Sequence, residues 1–396
     1  MHKTLVRIAV PTAVALLSLG MSGAVASASS ASSEPTYVIA YEGPLSGGDA
    51  QLGLNMEFSV QLAVNQANAG TTFGKLPFKL SFLPADDGGS GSQSPTTAAY
   101  LTGDKTVLAV VGPAFSGATK AAEPTFSGAD LATVSPSATA PELAQHGWHN
   151  FFRIVPDDNQ QGPADATFLA DTLKLKSVYS IDDATAYAAG IVKAFDTKAS
   201  ALGLKVTHQT ATGTTQCQEG TGDVSEYPAV ATAVKSSQAQ AVFYGGYYCG
   251  FALLVKQLHT AGYTGQLISD DGSLDPHYVS EAGAKNANGT YISCACTTFK
   301  TTAFDNFARE FEALAKFPVG TYSGEAYDAA NTIISVMKSI GPAHISRAAI
   351  VNALHSVMYK GLTKTVHFQP DGNIAGAAVY IYKVVNGKIV ELGLAP

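Results

Sequence analysis

Residues 107–119 read VLAVVGPAFSGAT, and this stretch decides the fold class. Its first part, Val107–Val111, is a continuous apolar run, which is typical of a strand in a parallel sheet covered on both faces. The loop that follows is small and hydroxyl-rich and leads into a helical segment. Comparable apolar runs, with helical segments between them, recur at residues 37–41, 177–181, 239–244 and 266–269. This alternation predicts an α/β fold with parallel sheets.

The alternation restarts near residues 151–156, which predicts a second sheet and two similar lobes. A further strand is predicted at 76–83. Near the C-terminal end, Asn386-Gly387 separates two apolar runs and predicts a hairpin added to an existing sheet. In open parallel sheets, ligands bind beyond the carboxyl ends of the strands, so we expect the binding residues in the loops there.

Composition excludes two classes of protein. Of the 396 residues, 46% are hydrophobic and 14% are charged, the reverse of what intrinsic disorder requires. The net charge of −7 and the absence of a basic tract argue against a protein that binds a polyanion. We therefore expect a folded protein with no nucleic-acid partner.

The N-terminal residues have the pattern of an export signal. Lys3 and Arg7 precede an apolar run of about 12 residues, too short for the ~20 residues that span a bilayer. Small residues follow, with A-x-A sites that end at Ala26 or Ala28. This pattern predicts a cleaved signal peptide over residues 1–28 and an extracytoplasmic mature chain, periplasmic, in the cell envelope or secreted; an N-terminal anchor is the alternative. Since no cysteine precedes Cys217, we expect no lipid anchor at the cleavage site.

The four cysteines, all in the exported part, are Cys217, Cys249, Cys294 and Cys296. An even count in an oxidising compartment favours disulfides, with three possible connectivities. Free thiols and a metal site are the alternatives. The Cys-x-Cys spacing differs from that of a zinc knuckle, and no histidine lies near it in sequence, so we expect no metal.

Two loops of the first half carry hydroxyls where helices begin. Ser116 lies in the loop after Val107–Val111, and Ser137 and Thr139 lie in the loop after the next predicted strand. Hydroxyls together with the N–H groups at helix N-termini suit a carboxylate. Ordinary helix capping is the alternative explanation of these residues.

The second half supplies complementary groups. Tyr247 follows one apolar run, and Asp270-Asp271 follows the next, while Tyr187 comes soon after a third. Aromatic walls and a carboxylate suit an apolar side chain with an attached ammonium. Exposed turn acids and a solvated aromatic cluster are the alternative.

The signatures of catalysis are missing from the sequence. It holds no G-x-S-x-G elbow, no phosphate loop ending in Lys-Ser/Thr, and no G-x-G-x-x-G after a strand. We therefore expect a protein that is not an enzyme and that has no cofactor.

Four motifs, in order and spacing, resemble those of the leucine/isoleucine/valine-binding protein family, the extracytoplasmic solute-binding proteins of branched-chain amino-acid ABC transporters. The motifs are SGGDAQLG at 46–53, SPSATAPEL at 135–143, DNQQGP at 158–163 and YGGY at 244–247. The resemblance covers about residues 36–392 and implies the two-lobed type I periplasmic-binding fold, each lobe a mostly parallel sheet flanked by helices. It implies three hinge crossings, with residues 36–154 and 295–367 in lobe 1 and residues 155–294 and 368–396 in lobe 2.

The resemblance also implies a set of ligand-binding residues. Those that match the family's contacts to the ligand's α-carboxylate and ammonium are Ser116, Ser137, Ala138, Thr139, Tyr247 and Asp271. Tyr187 matches an aromatic residue of the cleft, and Tyr327 is a further match. Leu52 stands where well-known members carry a tyrosine, which predicts a wider pocket that also accepts phenylalanine.

The function implied is capture of a small neutral, branched-chain-like amino acid by hinge closure and its delivery to an ABC-transporter permease, by a monomeric protein. A receptor for an amide, urea or aromatic acid is the nearest alternative, and an envelope hydrolase is a distant one. With the second-lobe placement that the resemblance implies, we predict that Cys217 pairs with Cys249. Cys294 and Cys296 would then pair with each other or remain thiols.

Overall fold

The computed structural model describes residues 34–211, 226–296, 300–376 and 378–396, and the predicted signal peptide lies outside them. The strands are β1 (Thr36–Gly43), β2 (Lys79–Asp86), β3 (Val107–Val111), β4 (Ala132–Ser135), β5 (Phe151–Arg153), β6 (Ser177–Asp182), β7 (Lys205–Thr210), β8 (Ala241–Gly245), β9 (Gln266–Ser269), β10 (Tyr291–Cys294), β11 (Tyr359–Lys360), β12 (Thr365–Val366), β13 (Tyr380–Val385) and β14 (Lys388–Leu394). The helices are α1 (Ala50–Ala69), α2 (Ser94–Gly103), α3 (Ser116–Gly128), α4 (Asp158–Thr167), α5 (Ala186–Ala201), α6 (Tyr227–Ser237), α7 (Tyr248–Thr260), α8 (Pro276–Ala282), α9 (Ala284–Ala287), α10 (Thr302–Ala315), α11 (Ser323–Ile340) and α12 (Arg347–Leu354).

The first sheet has five parallel strands in the order β2-β1-β3-β4-β5. Every residue of β3 is buried, as its apolar sequence predicts for a strand covered on both faces. The strand predicted at 76–83 begins later, at Lys79, because Pro77 has no N–H to give to the ladder. Leu76 and Phe78 are buried in the core as loop residues, so their apolar character resembled that of a strand.

The second sheet has seven strands in the order β14-β13-β10-β9-β8-β6-β7. The five strands from β10 to β7 are parallel to their neighbours, and the hairpin of β13 and β14 joins them antiparallel to β10. At the tip of this hairpin Asn386 and Gly387 have φ of 52° and 75°, the left-handed pair of a type I′ turn. The predicted second sheet and the predicted hairpin are both confirmed.

The chain passes between the two sheets more than once. It leaves the first sheet after β5, and after β10 it returns, since α11 and α12 pack against β3 and β4. It then enters the second sheet again at β13. The exact lobe boundaries and the number of hinge crossings stay predictions.

Arg153, at the end of β5, fixes the first of these passages. Its side chain is fully buried, its Nε donates to Asn373 Oδ1 at 2.6 Å, and its backbone N–H donates to the Gly372 carbonyl at 3.0 Å. Gly372 has φ of 82°, and a Cβ there would lie 2.1 Å from the Phe151 carbonyl oxygen. Only glycine allows this close approach of the two chain segments. Within the described ranges, none of the helices combines the length and apolarity needed to cross a membrane.

Candidate ligand-binding cavity

A small cavity lies where the loops at the carboxyl ends of both sheets meet. This is the position that the topology of parallel sheets predicts for a ligand. The cavity is lined by Leu52, Met56, Ala114, Phe115, Ser116, Ser137, Tyr187, Tyr247, Asp271, Gly272 and Tyr322.

The first-sheet side of the cavity presents hydroxyls and a helix N-terminus. Ser116 begins α3 and accepts a hydrogen bond from the Ala140 N–H at 3.2 Å, while Ser137 Oγ donates to the Ala114 carbonyl at 2.7 Å. The residue that precedes α3, Phe115, makes no side-chain cap hydrogen bond. The first N–H groups of α3 therefore lie at the cavity without a side-chain cap, in the arrangement that binds anions.

Ala138 and Thr139 lie in the same turn as Ser137 and are fully buried. The Thr139 carbonyl accepts the N–H of Asp158, the first residue of α4, at 3.0 Å. This bond ties the hydroxyl-bearing turn to the start of the chain segment that leads into the second sheet.

The second-sheet side presents a buried carboxylate. Asp271 follows β9 in a 3₁₀ turn and is 3% exposed. Its Oδ1 accepts the Tyr187 hydroxyl and its Oδ2 accepts the Tyr322 hydroxyl, each at 2.7 Å. Burial raises the pKa of Asp271 above its usual value, while the two phenols favour the charged form. The two hydroxyls thus orient a carboxylate at the wall of the cavity.

Three further buried acids surround Asp271. Burial raises the pKa of Asp158, Asp165 and Asp270, and the charge of Asp271 raises each one further. Arg153 is the buried cation nearby, and its guanidinium already donates to carbonyl and side-chain oxygens of its own surroundings. The buried acids outnumber the buried cation, and a positive group on a ligand would favour the charged form of Asp271.

Six residues that the sequence predicts for the site line the cavity: Leu52, Ser116, Ser137, Tyr187, Tyr247 and Asp271. Tyr327 is placed elsewhere, because its face of α11 packs on Phe307, with ring centroids 4.8 Å apart, and its hydroxyl donates to Gln66. Tyr322 stands at the cavity instead, five residues earlier. It was missed because it precedes α11 in a left-handed conformation, with φ of 63°, which no sequence pattern marks.

Met56 was also missed, although a signal for it exists. It lies one helical turn after Leu52 in α1, at the i, i+4 spacing that places two side chains on one face. Both side chains are buried, at 3% and 0% exposure. Together they give the cavity an apolar wall.

Cys294 and Cys296 are joined by a disulfide, with the two Sγ atoms 2.08 Å apart, which is one of the two states expected for them. The predicted bond between Cys217 and Cys249 stays a prediction, because Cys217 lies outside the described residues. In the described part of the chain, His, Cys, Asp and Glu side chains form no group of three or more that could hold a metal.

The protein has two mostly parallel sheets, and the carboxyl ends of their strands face one small polar and aromatic cavity. This is the arrangement of a two-lobed solute-binding protein. The chain belongs to the periplasmic binding protein family, whose model matches residues 36–388. A Leu/Ile/Val-binding protein homolog of Brucella melitensis is 28% identical over 351 residues, covering 88% of this chain and 91% of that protein. The predicted resemblance and the predicted type I fold are confirmed.

Solved structures agree with this assignment. The branched-chain amino acid transporter substrate-binding protein of Streptococcus pneumoniae, in complex with isoleucine, matches with a TM-score of 0.79 and 25% identity, covering 91% of this chain and all (100%) of that one. A solute-binding protein from R. palustris in complex with benzoate matches with a TM-score of 0.77 and 19% identity, covering 91% and 96%. The second likeness concerns the fold alone.

Proposed function

We propose that the protein is an extracytoplasmic receptor that binds a neutral, branched-chain-like amino acid between its two lobes and delivers it to an ABC importer. The observation that carries this proposal is the division of charge across the cavity. The α3 N-terminus with Ser116 and Ser137 suits an α-carboxylate on one side, and Asp271 suits an α-ammonium on the other.

The remaining walls favour an apolar side chain. Leu52, Met56 and the aromatic rings line the cavity between its two polar ends. A charged ligand side chain there would lose its water without gaining a partner, which costs several kcal/mol. A leucine-sized side chain would instead gain ~1.5–3 kcal/mol on burial.

A ligand that contacts both polar ends of the cavity would stabilise the closed arrangement of the lobes. Each lobe alone contacts only one of the ligand's two charged groups, so both groups are bound only when the lobes are closed. Relatives named for leucine, isoleucine and valine binding, and the isoleucine complex, support an amino acid as ligand. The family is one of solute-binding proteins, and we propose no catalytic step for this chain.

An aromatic acid such as benzoate is the second candidate ligand, because the sequence leaves that class of ligand open. Benzoate has no ammonium, so it would leave Asp271 buried without a cation. The proposal has three further parts: residues 1–28 are removed, the partner is a permease in the membrane, and the protein is a monomer.

Calorimetric titration of the mature chain tests the proposal, after unfolding and refolding to strip any bound ligand. We expect leucine, isoleucine and valine to bind more tightly than arginine, lysine, glutamate or aspartate. Tighter binding of a charged amino acid than of all three would refute the assigned ligand class.

A further inference from the structure

A second, larger cavity lies outside the ligand cavity, at the mouth of the cleft. It is lined by the glycine-rich loops at 46–49 and 88–91 and by the segment that holds Asp183 and Thr185. Among the described residues, two line both cavities, and they are Phe115 and Tyr247. These two side chains therefore form the partition between the inner and the outer space.

The partition is an aromatic stack between the two lobes. Phe115 comes from the loop after β3 of the first sheet, and Tyr247 comes from the loop after β8 of the second. Their ring centroids lie 4.3 Å apart with planes inclined by 20°. Tyr247 also lies 5.3 Å from the ring of Tyr187, on the inner side.

The backbone on each side of the stack is closely packed. A Cβ at Gly89 would come within 2.8 Å of the Phe115 ring, so the ring rests on the bare backbone of that glycine. The Phe115 side chain is 7% exposed. On the other side, a Cβ at Gly246, the residue before Tyr247, would come within 2.6 Å of the Asp183 carboxylate.

We propose that Phe115 limits the size of the ligand side chain, because its stack on Tyr247 ends the inner cavity. This inference rests on the proposed function, since it concerns the same site. It bears on the expectation that Leu52, in place of a tyrosine, widens the pocket for phenylalanine, because Phe115 and Tyr322 line the same cavity.

The test is the affinity of Phe115→Ala for leucine and tryptophan, measured by calorimetry beside the wild type. Losing the stack should weaken leucine binding by about two- to tenfold. Joining the two cavities should at the same time favour tryptophan, so that the tryptophan-to-leucine affinity ratio rises at least tenfold.

Two further variants complete the design. Phe115→Tyr keeps the ring and should keep the wild-type ratio. Phe115→Leu, a smaller change in volume, should raise the ratio less than alanine does, and it replaces the alanine variant if thermal unfolding shows that variant to be unfolded.

The outcomes separate the two proposals. Suppose that the wild type binds leucine but that Phe115→Ala and Phe115→Leu both keep a tryptophan-to-leucine affinity ratio within about threefold of the wild-type ratio. The role of Phe115 in limiting ligand size is then refuted, and the proposed function stands. If the wild type binds no neutral amino acid, the proposed function itself fails.

Discussion

Replacing Asp271 by asparagine removes one negative charge and hardly changes the size of the side chain. The carboxylate is buried, and the hydroxyls of Tyr187 and Tyr322 each donate to one of its oxygens at 2.7 Å. An asparagine can accept one of these bonds and donate to the other hydroxyl oxygen. The fold should therefore persist while the partner of the ligand's ammonium is lost.

The expected loss of affinity follows from the burial of this pair. Breaking one side of a buried ion pair costs ~3–5 kcal/mol, which is about two to three and a half decades in Kd at ~1.4 kcal/mol per decade. The ligand-free protein should keep or gain stability, because Asp158, Asp165 and Asp270 lose a like charge beside them.

Calorimetric titration with leucine measures the loss, and Asp275→Asn is the matched control. Asp275 is 1% exposed, four residues further along the chain, and outside the cavity lining. It caps α8 by accepting the His277 N–H at 2.8 Å, a role that asparagine fills equally well. The control should stay within about threefold of wild type. An Asp271→Asn variant that also stays within that range would refute the charge pairing.

Three other predictions concern protonation and the disulfides. Tyr322→Phe removes a hydrogen-bond donor that lowers the pKa of Asp271, so the pKa of Asp271 should be higher in the variant. When the pH is lowered, the variant should therefore lose leucine affinity at a higher pH than the wild type does, and identical pH profiles would contradict this. Burial raises the pKa of Glu42 to about 9, so its contribution to stability is present below its ordinary pKa and is lost as the pH rises through 9. The unfolding temperature of the ligand-free protein should therefore fall between pH 7 and pH 10, and it should fall less in the Glu42→Gln variant. An equal fall in both proteins would show that Glu42 does not cause this pH dependence. Peptide mapping without reductant should recover Cys217 linked to Cys249, and a bond from Cys217 to any other cysteine would exclude that pairing.

The parts of the fold that were predictable are those where burial leaves a local pattern. Val107–Val111 is apolar throughout, Gln266–Ser269 has the apolar pair Leu267-Ile268 at its centre, and both are strands with the predicted bounds. Asn386-Gly387 marks its turn because few other pairs adopt two left-handed residues in succession. The start of β2 was misplaced because an apolar loop and an apolar strand look alike until proline breaks the ladder.

The site was predictable where topology places it. Ser116, Tyr247 and Asp271 each follow a strand of a parallel sheet, so their meeting at one cavity follows from the strand order. Tyr322 could not be found this way. It reaches the cavity from the segment before α11, after the chain has returned to the first sheet. Tyr327 is a tyrosine of the same region, but its ring packs on Phe307 and not at the cavity.

The central claim is that the cavity recognises both charges of an amino acid, and a titration of leucine beside 4-methylpentanoate and benzoate tests it most directly. 4-Methylpentanoate is leucine without its ammonium, so it keeps the carboxylate and the apolar side chain. We predict that leucine binds at least about a hundredfold more tightly than either acid, because each of them leaves Asp271 buried without a cation. Binding of 4-methylpentanoate or benzoate as tight as that of leucine would contradict this account.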